Sequence, residues 1–263
     1  MSRLRLLESS AGSLEYLTVG SGLPHTVFGH GLAGSIPTTR PFGSGVPGSR
    51  TFFHFRGHGA SHAPEDDWTY AALARELGAV ADHVGADRAL GVSMGAGALC
   101  ALLAEEPQRF ERCVFLLPAL IDRPRTDGAL ERLVQMADYV DCGDEEAVAD
   151  LLSAEQPEHV AARPDVQAWV RQQARVLAGT PVSWALRHLP TQVPLRDRGV
   201  LARVSAPVLV IGQEGDEAHP HRIAVELASA FPNAAVEILP PGGVLWTHRA
   251  HVRALISTFL GAH

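Results

Sequence analysis

The residues with the clearest capacity for covalent chemistry are Gly91-Val92-Ser93-Met94-Gly95, a serine bracketed by glycines at minus two and plus two. A short apolar run precedes it and an alanine-rich tract follows to Glu105, so a strand, a sharp turn and a helix are expected. A serine at such a turn is lifted out of the end of a sheet in a strained backbone conformation. Gly91 and Gly95 remove the side chains that would collide where strand and helix cross. The letters alone are a weak signal in a chain with 25 glycines, and the strand-to-helix setting is what strengthens them. A serine hydroxyl near neutral pH is a poor nucleophile. It needs a base to take its proton and an acid to hold that base in the right tautomer.

The chain has 13 histidines, so bases and metal ligands both have to be considered. The metal candidates are His219-x-His221 and the trio His54, His58 and His62. The trio crosses a Gly-Ala turn instead of a helix, so its spacing does not align the rings. No metal and no cofactor are expected. Gly43-x-Gly45-x-x-Gly48 matches a dinucleotide fingerprint by letter, but it contains Pro47 and runs into a strand-like segment where a helix should open.

Composition narrows the function classes. The chain has 263 residues, 46% hydrophobic and 19% charged, with a formal charge of -7. That suits one large core and offers no electrostatic footprint for nucleic acid. All 22 basic side chains are arginine, which excludes Schiff-base and Walker-type lysine mechanisms. Cys100, Cys113 and Cys142 are odd in number and lie in or near apolar patterns, as buried thiols in a reducing compartment would. No h-region opens the chain and no apolar run reaches ~18 residues. A cytoplasmic protein with a small-molecule substrate, and with neither nucleic acid nor membrane as partner, is expected; oligomeric state stays open.

Strands are expected at Leu4 to Leu7, Leu14 to Val19, His25 to Gly29 and Thr51 to Phe55. Asp66 or Asp67 can cap a helix whose apolar positions Leu73, Leu77, Val80 and Val84 form one stripe. The Ser93 strand and helix come next, then a strand at Arg112 to Leu117. This alternation implies right-handed crossovers and a parallel sheet covered on both faces. From Ile121 to about Arg198 no strand is expected. Amphipathic helical pieces stand at Ala129 to Val140, Glu145 to Leu152 and Val166 to Leu177. The stretch is too long for a structureless loop and reads as a helical insertion. Its Trp169 and Trp184 could line a pocket or pack between helices. Strand, helix, strand and helix resume at Pro207 to Ile211, Arg222 to Phe231, Ala235 to Leu239 and His248 to Leu260.

His30-Gly31 after the third strand, Arg56-Gly57-His58-Gly59-x-Ser61 after the fourth, the turn at Ser93, and Gly212 with Asp216 and Pro220 after the penultimate strand stand in one order. In these marks the chain resembles the α/β-hydrolases over essentially its whole length. The resemblance implies an α/β fold, a mostly parallel eight-stranded sheet flanked by helices, with a helical cap inserted after the sixth strand. Residues 1–121 and 198–263 would form the core and 122–197 the cap. It further implies Ser93 as nucleophile, Asp216 as the triad acid, and an oxyanion hole from the backbone N–H groups of Leu32 and Met94. Asp216 could instead serve as a turn cap near Pro220, and Asp122, after the sixth strand, is an alternative acid. His54 stands where family members commonly carry an acidic residue.

The family's triad histidine usually follows the last strand. Here that position falls on Gly242 or Gly243, in Pro240-Pro241-Gly242-Gly243-Val244-Leu245-Trp246. His248 and His251 are the nearest substitutes. His248 follows Thr247, a plausible helix N-cap, and is expected to be the base despite its longer reach; a solvated surface histidine is the competing reading. The expected function is a serine hydrolase of esterase, thioesterase or lactonase type acting on a small acyl substrate. The alternative is a non-hydrolytic protein of the same fold, a lyase, cyclase or ligand-binding module without a complete triad.

Overall fold

The fold is seen in a computed structural model that describes residues 3–125 and 127–262. One eight-stranded sheet runs through it: β1 (Arg5–Ser9), β2 (Gly12–Val19), β3 (His25–Gly29), β4 (Ser49–Phe53), β5 (Arg88–Val92), β6 (Arg112–Leu116), β7 (Val208–Gln213) and β8 (Ala234–Leu239). Their spatial order is β1-β2-β4-β3-β5-β6-β7-β8. β1 with β2 and β2 with β4 pair antiparallel, and every other neighbouring pair is parallel. The expected opening hairpin and parallel sheet are both present.

The central strands carry apolar side chains on both faces, as a sheet covered by helices requires. Phe28, Leu90, Val114, Leu209 and Ile211 belong to one buried cluster, with Phe42, Val252, Ile256 and Leu260. Val27, Ala89, Cys113, Phe115, Val208 and Val210 belong to the other. Successive strand residues thus alternate between two cores, following the period of two along a strand.

The helices are α1 (Ile36–Thr39), α2 (Tyr70–Val84), α3 (Met94–Glu105), α4 (Gly128–Cys142), α5 (Glu145–Ala154), α6 (Glu158–Ala161), α7 (Pro164–Leu177), α8 (Val182–His188), α9 (His221–Ser229) and α10 (Arg249–Gly261). α2 is capped by the Thr69 side chain, which accepts from Ala72 N–H, and not by Asp66 or Asp67. The Asp67 carboxylate instead pairs with Arg75 at 2.6 Å. α3 is buried from Met94 to Leu103, so its apolar character all round is what its location demands. α4 to α8 fill the interval between β6 and β7, where a helical insertion was expected. The stretch around Gly43-x-Gly45-x-x-Gly48 leads into β4 and opens no helix. No helix among the described residues is long and apolar enough to cross a membrane.

Candidate active site

Ser93 stands between β5 and α3 with φ 49° and ψ -107°, a left-handed backbone for a residue that bears a side chain. Such strain persists only where surrounding structure enforces it. Here the Ser93 N–H is held by the Leu116 carbonyl at 2.9 Å and Gly95 N–H by the His30 carbonyl at 3.1 Å. A Cβ on Gly91 would come within 2.3 Å of the Gly95 carbonyl oxygen, and one on Gly95 within 2.5 Å of that of Gly29. These two glycines are therefore steric requirements of the turn.

The imidazole partner of Ser93 is His219. Its Nε2 lies 2.8 Å from Ser93 Oγ, while its Nδ1 lies 3.0 Å from Asp216 Oδ2. Ser93, Asp216 and the turn after β7 are brought together, and the expected base, His248, is not among them. His248 caps α10 and points its Nε2 at the Pro241 carbonyl, 3.4 Å away. The physical reason lies in the preceding segment: Gly243–Thr247 winds into a π-helical turn, so α10 begins at Arg249 and Thr247 is not its cap. His251 is on the surface, paired with Glu237 at 3.0 Å.

In the sequence His219 stands out only as part of the metal candidate His219-x-His221. Among the described residues no group of three or more His, Cys, Asp or Glu side chains is placed to hold a metal ion. The signal that could have found it is Asp216-Glu217-Ala218-His219-Pro220. A histidine three residues after an acid in a tight turn can bond that acid with its ring as well as its backbone. Both bonds are present, since Asp216 Oδ1 also accepts the His219 N–H at 2.9 Å. Asp216 is thus a turn cap and an imidazole partner at once. Burial would raise its carboxyl, but the bonds and attraction to His219 outweigh that and hold it below the usual carboxylate range. Asp122, the alternative acid, is committed to Arg198 through two bonds of 2.6 and 2.7 Å.

On the other side of Ser93, a Cβ on Gly31 would lie 3.4 Å from the Ser93 Cβ, so the loop after β3 runs alongside the hydroxyl. Among the described residues, no acceptor engages the N–H groups of Leu32 or Met94. His30 anchors this loop. Its Nδ1–H donates to the Gly31 carbonyl at 2.7 Å and its Nε2 accepts the Phe55 N–H at 3.0 Å. Burial, followed by His58 and His54 nearby, pushes its pKa well down and keeps it neutral. His54, in the place of an acidic residue, donates from Nδ1 to Glu15 Oε2 at 2.8 Å and accepts the Ile36 N–H at 2.9 Å. Glu15 of β2 supplies the carboxylate, and the histidine relays its hold to α1.

A serine hydroxyl bonded to an imidazole whose far nitrogen is bonded to a carboxylate is the constellation for nucleophilic acyl transfer. The model of the α/β-hydrolase fold family matches residues 24–245. The chain belongs to the α/β-hydrolase family. A search of curated proteins found no match. Among solved structures, the chain is similar to an enol-lactonase from Burkholderia xenovorans LB400, with TM-score 0.79 and 22% identity over 98% of this chain and 100% of that one. It is also similar to the carboxylesterase CesB from Bacillus subtilis, with TM-score 0.80 and 18% identity over 100% and 93% of the two chains. At these identities the likeness speaks to the fold.

The position where the α/β-hydrolase histidine usually stands has become a bracket. Gly243 N–H donates to Gln213 Oε1 at 3.0 Å, Trp246 Nε1–H to Gln156 Oε1 at 2.8 Å, and His159 bonds Thr247 at 3.0 Å. Trp169 meets Trp246 edge-on with ring centroids 5.7 Å apart, whereas Trp184 is exposed and stacks on His188. Gly243 has φ +81°, and a Cβ there would lie 2.8 Å from the Trp246 ring and 3.3 Å from Pro157. Gly243→His should therefore lose about 1–3 kcal/mol of stability in chemical denaturation and gain no ester turnover. A stable variant with raised turnover would contradict this account of the bracket.

Proposed function

We propose that this chain is a serine hydrolase acting on a small ester, thioester or lactone. The observation that carries the reading is the continuous line from Ser93 Oγ through His219 to Asp216, with separations of 2.8 and 3.0 Å. Ser93 Oγ attacks the acyl carbon as its proton passes to His219 Nε2. Asp216 accepts from Nδ1–H, fixing the tautomer that leaves Nε2 free to act as base, and it stabilises the imidazolium. The N–H groups of Leu32 and Met94 receive the charge that develops on the carbonyl oxygen. The imidazolium then protonates the departing alkoxide or thiolate, and a water activated by the same imidazole releases the acyl group from Ser93.

An imidazole 2.8 Å from Ser93 Oγ supports this reading over a non-hydrolytic role without a complete triad. The ester-type substrate class is supported by the structural neighbours, an enol-lactonase and a carboxylesterase. Residues 122–197 serve as the cap over the site, a reading supported by the bonds from Gln156 and His159 to the 243–247 turn. Three free thiols, buried at Cys100 and Cys113 but exposed at Cys142, where a buried thiol is expected from the sequence, are consistent with a reducing cytoplasmic setting.

A fluorophosphonate probe tests the nucleophile. Stoichiometric labelling of the protein, abolished in Ser93→Ala, is expected. Undiminished labelling of that variant would overturn the assignment, as would complete resistance of the folded protein.

A further inference from the structure

The proposed base stands on a turn, and turns between elements are ordinarily the mobile parts of a scaffold. Glu214, Gly215 and Glu217 are exposed, and Gly215 has φ +72°. Yet one peptide group in this turn is held at both ends. The Ala218–His219 peptide offers its N–H to Asp216 Oδ1 at 2.9 Å, and its carbonyl accepts from Arg125 Nη2 at 2.5 Å. Because a peptide is planar, pinning both ends fixes the plane from which the His219 Cα extends, and the bond between Nδ1 and Asp216 Oδ2 then sets the direction of the ring.

Arg125 is suited to that task. Its side chain is buried, it lies in the segment between β6 and α4, and its other arm, Nη1, donates to Asp127 Oδ1 at 3.1 Å. The planar guanidinium fork couples these two bonds rigidly, which an ammonium cannot do. A second arginine from α4, Arg132, reaches Glu217 Oε2 at 3.2 Å, but Glu217 is largely exposed and such a pair constrains little.

We propose that Arg125 is a positioning residue that holds the His219 imidazole in line with Ser93. The inserted segment thereby contributes to the alignment of the proposed base, which stands here in the turn after β7. This inference rests on the serine-hydrolase reading for its kinetic consequence but not for its structural one.

In Arg125→Gln, kcat on a small aryl ester should fall about 100-fold, as expected for a reacting group displaced by about 1 Å, while KM stays near that of the wild type. Arg125→Lys, which keeps the charge but not the fork, should lie between. The second readout is the downfield Nδ1–H proton resonance of His219, seen by NMR in the wild type and broadened or lost in Arg125→Gln. An unchanged kcat and an unchanged resonance in the folded variant overturn the proposal. A lost resonance supports it even if the wild type proves inert toward esters, an outcome that would instead sink the hydrolase reading. Should Arg125→Gln not fold, Asp127→Ala removes the second anchor of the guanidinium. Asp127 makes no side-chain cap bond to α4, so the variant should fold. Its kcat should fall in the same direction, and unchanged kcat and resonance there would also overturn the proposal.

Discussion

His219→Ala should lower kcat/KM on a small aryl ester by about 10³-fold or more, and His248→Ala should leave it unchanged. The first expectation follows from the two separations at His219, 2.8 Å to Ser93 and 3.0 Å to Asp216. Loss of the base leaves only the oxyanion donors and substrate binding to accelerate the reaction. The second follows from His248 facing the Pro241 backbone carbonyl and not Ser93, whose hydroxyl is bonded to His219. Asp216→Asn should also be severe, because an amide can present its N–H to Nδ1 and so favour the wrong tautomer. The double variant His219→Ala/Asp216→Asn should be little worse than His219→Ala alone, since members of a triad act as a unit. Steady-state kinetics on the wild type and the four variants, with melting temperatures to exclude unfolding, decide the matter. A His219→Ala protein that keeps its turnover would remove the assigned base. Multiplicative losses in the double variant would mean that Asp216 acts on something other than His219.

The sequence made the fold legible because its signals were redundant. Alternating apolar strands and one-sided helices each specified an element, and four glycine-bearing turns stood in one order between them. Ser93 was legible for the same reason: the flanking glycines are demanded by a crossing so close that any Cβ would strike backbone. The proposed base was not legible from the family pattern, which points to the segment after the last strand, where an imidazole usually stands. His219 is local to Asp216, in a turn whose shape is set by hydrogen bonds of the turn itself and by Arg125, distant in sequence. Its direction depends on where the turn's peptide groups point, and letters carry that only weakly. The error at His248 has a related origin. Thr247 looks like a cap, but the π-helical turn moves the helix start to Arg249, and nothing in Gly243-Val244-Leu245-Trp246 announces a turn with one residue more than α-helical spacing. His54 is the converse case: an apparent departure at one position is compensated by Glu15 on a neighbouring strand.

Glu76→Ala should destabilise the protein by about 3–5 kcal/mol, a large part of the 5–15 kcal/mol that an ordinary domain possesses. Glu76 projects from α2, is fully buried and accepts three hydrogen bonds: from Arg56 N–H at 3.1 Å, from Arg56 Nε at 2.6 Å and from His62 Nε2 at 2.8 Å. Arg56 is itself buried, and beyond Glu76 its nearest anchors are the Asp67 carbonyl at 2.5 Å and the Asp67 carboxylate at 3.9 Å. Removing the carboxylate therefore strands a guanidinium in the interior, which costs far more than the pair's net contribution. The turn from Arg56 to Ser61, which carries His58 beside His30, rests on this anchor, so loosening should spread toward the loop of Leu32. Urea denaturation measures the loss. Arg56→Met/Glu76→Leu discriminates the cause: deleting both charges should recover part of the stability, because the uncompensated buried charge is gone. If the double variant is as unstable as the sum of its two singles, the cost comes from lost packing against α2 and not from electrostatics.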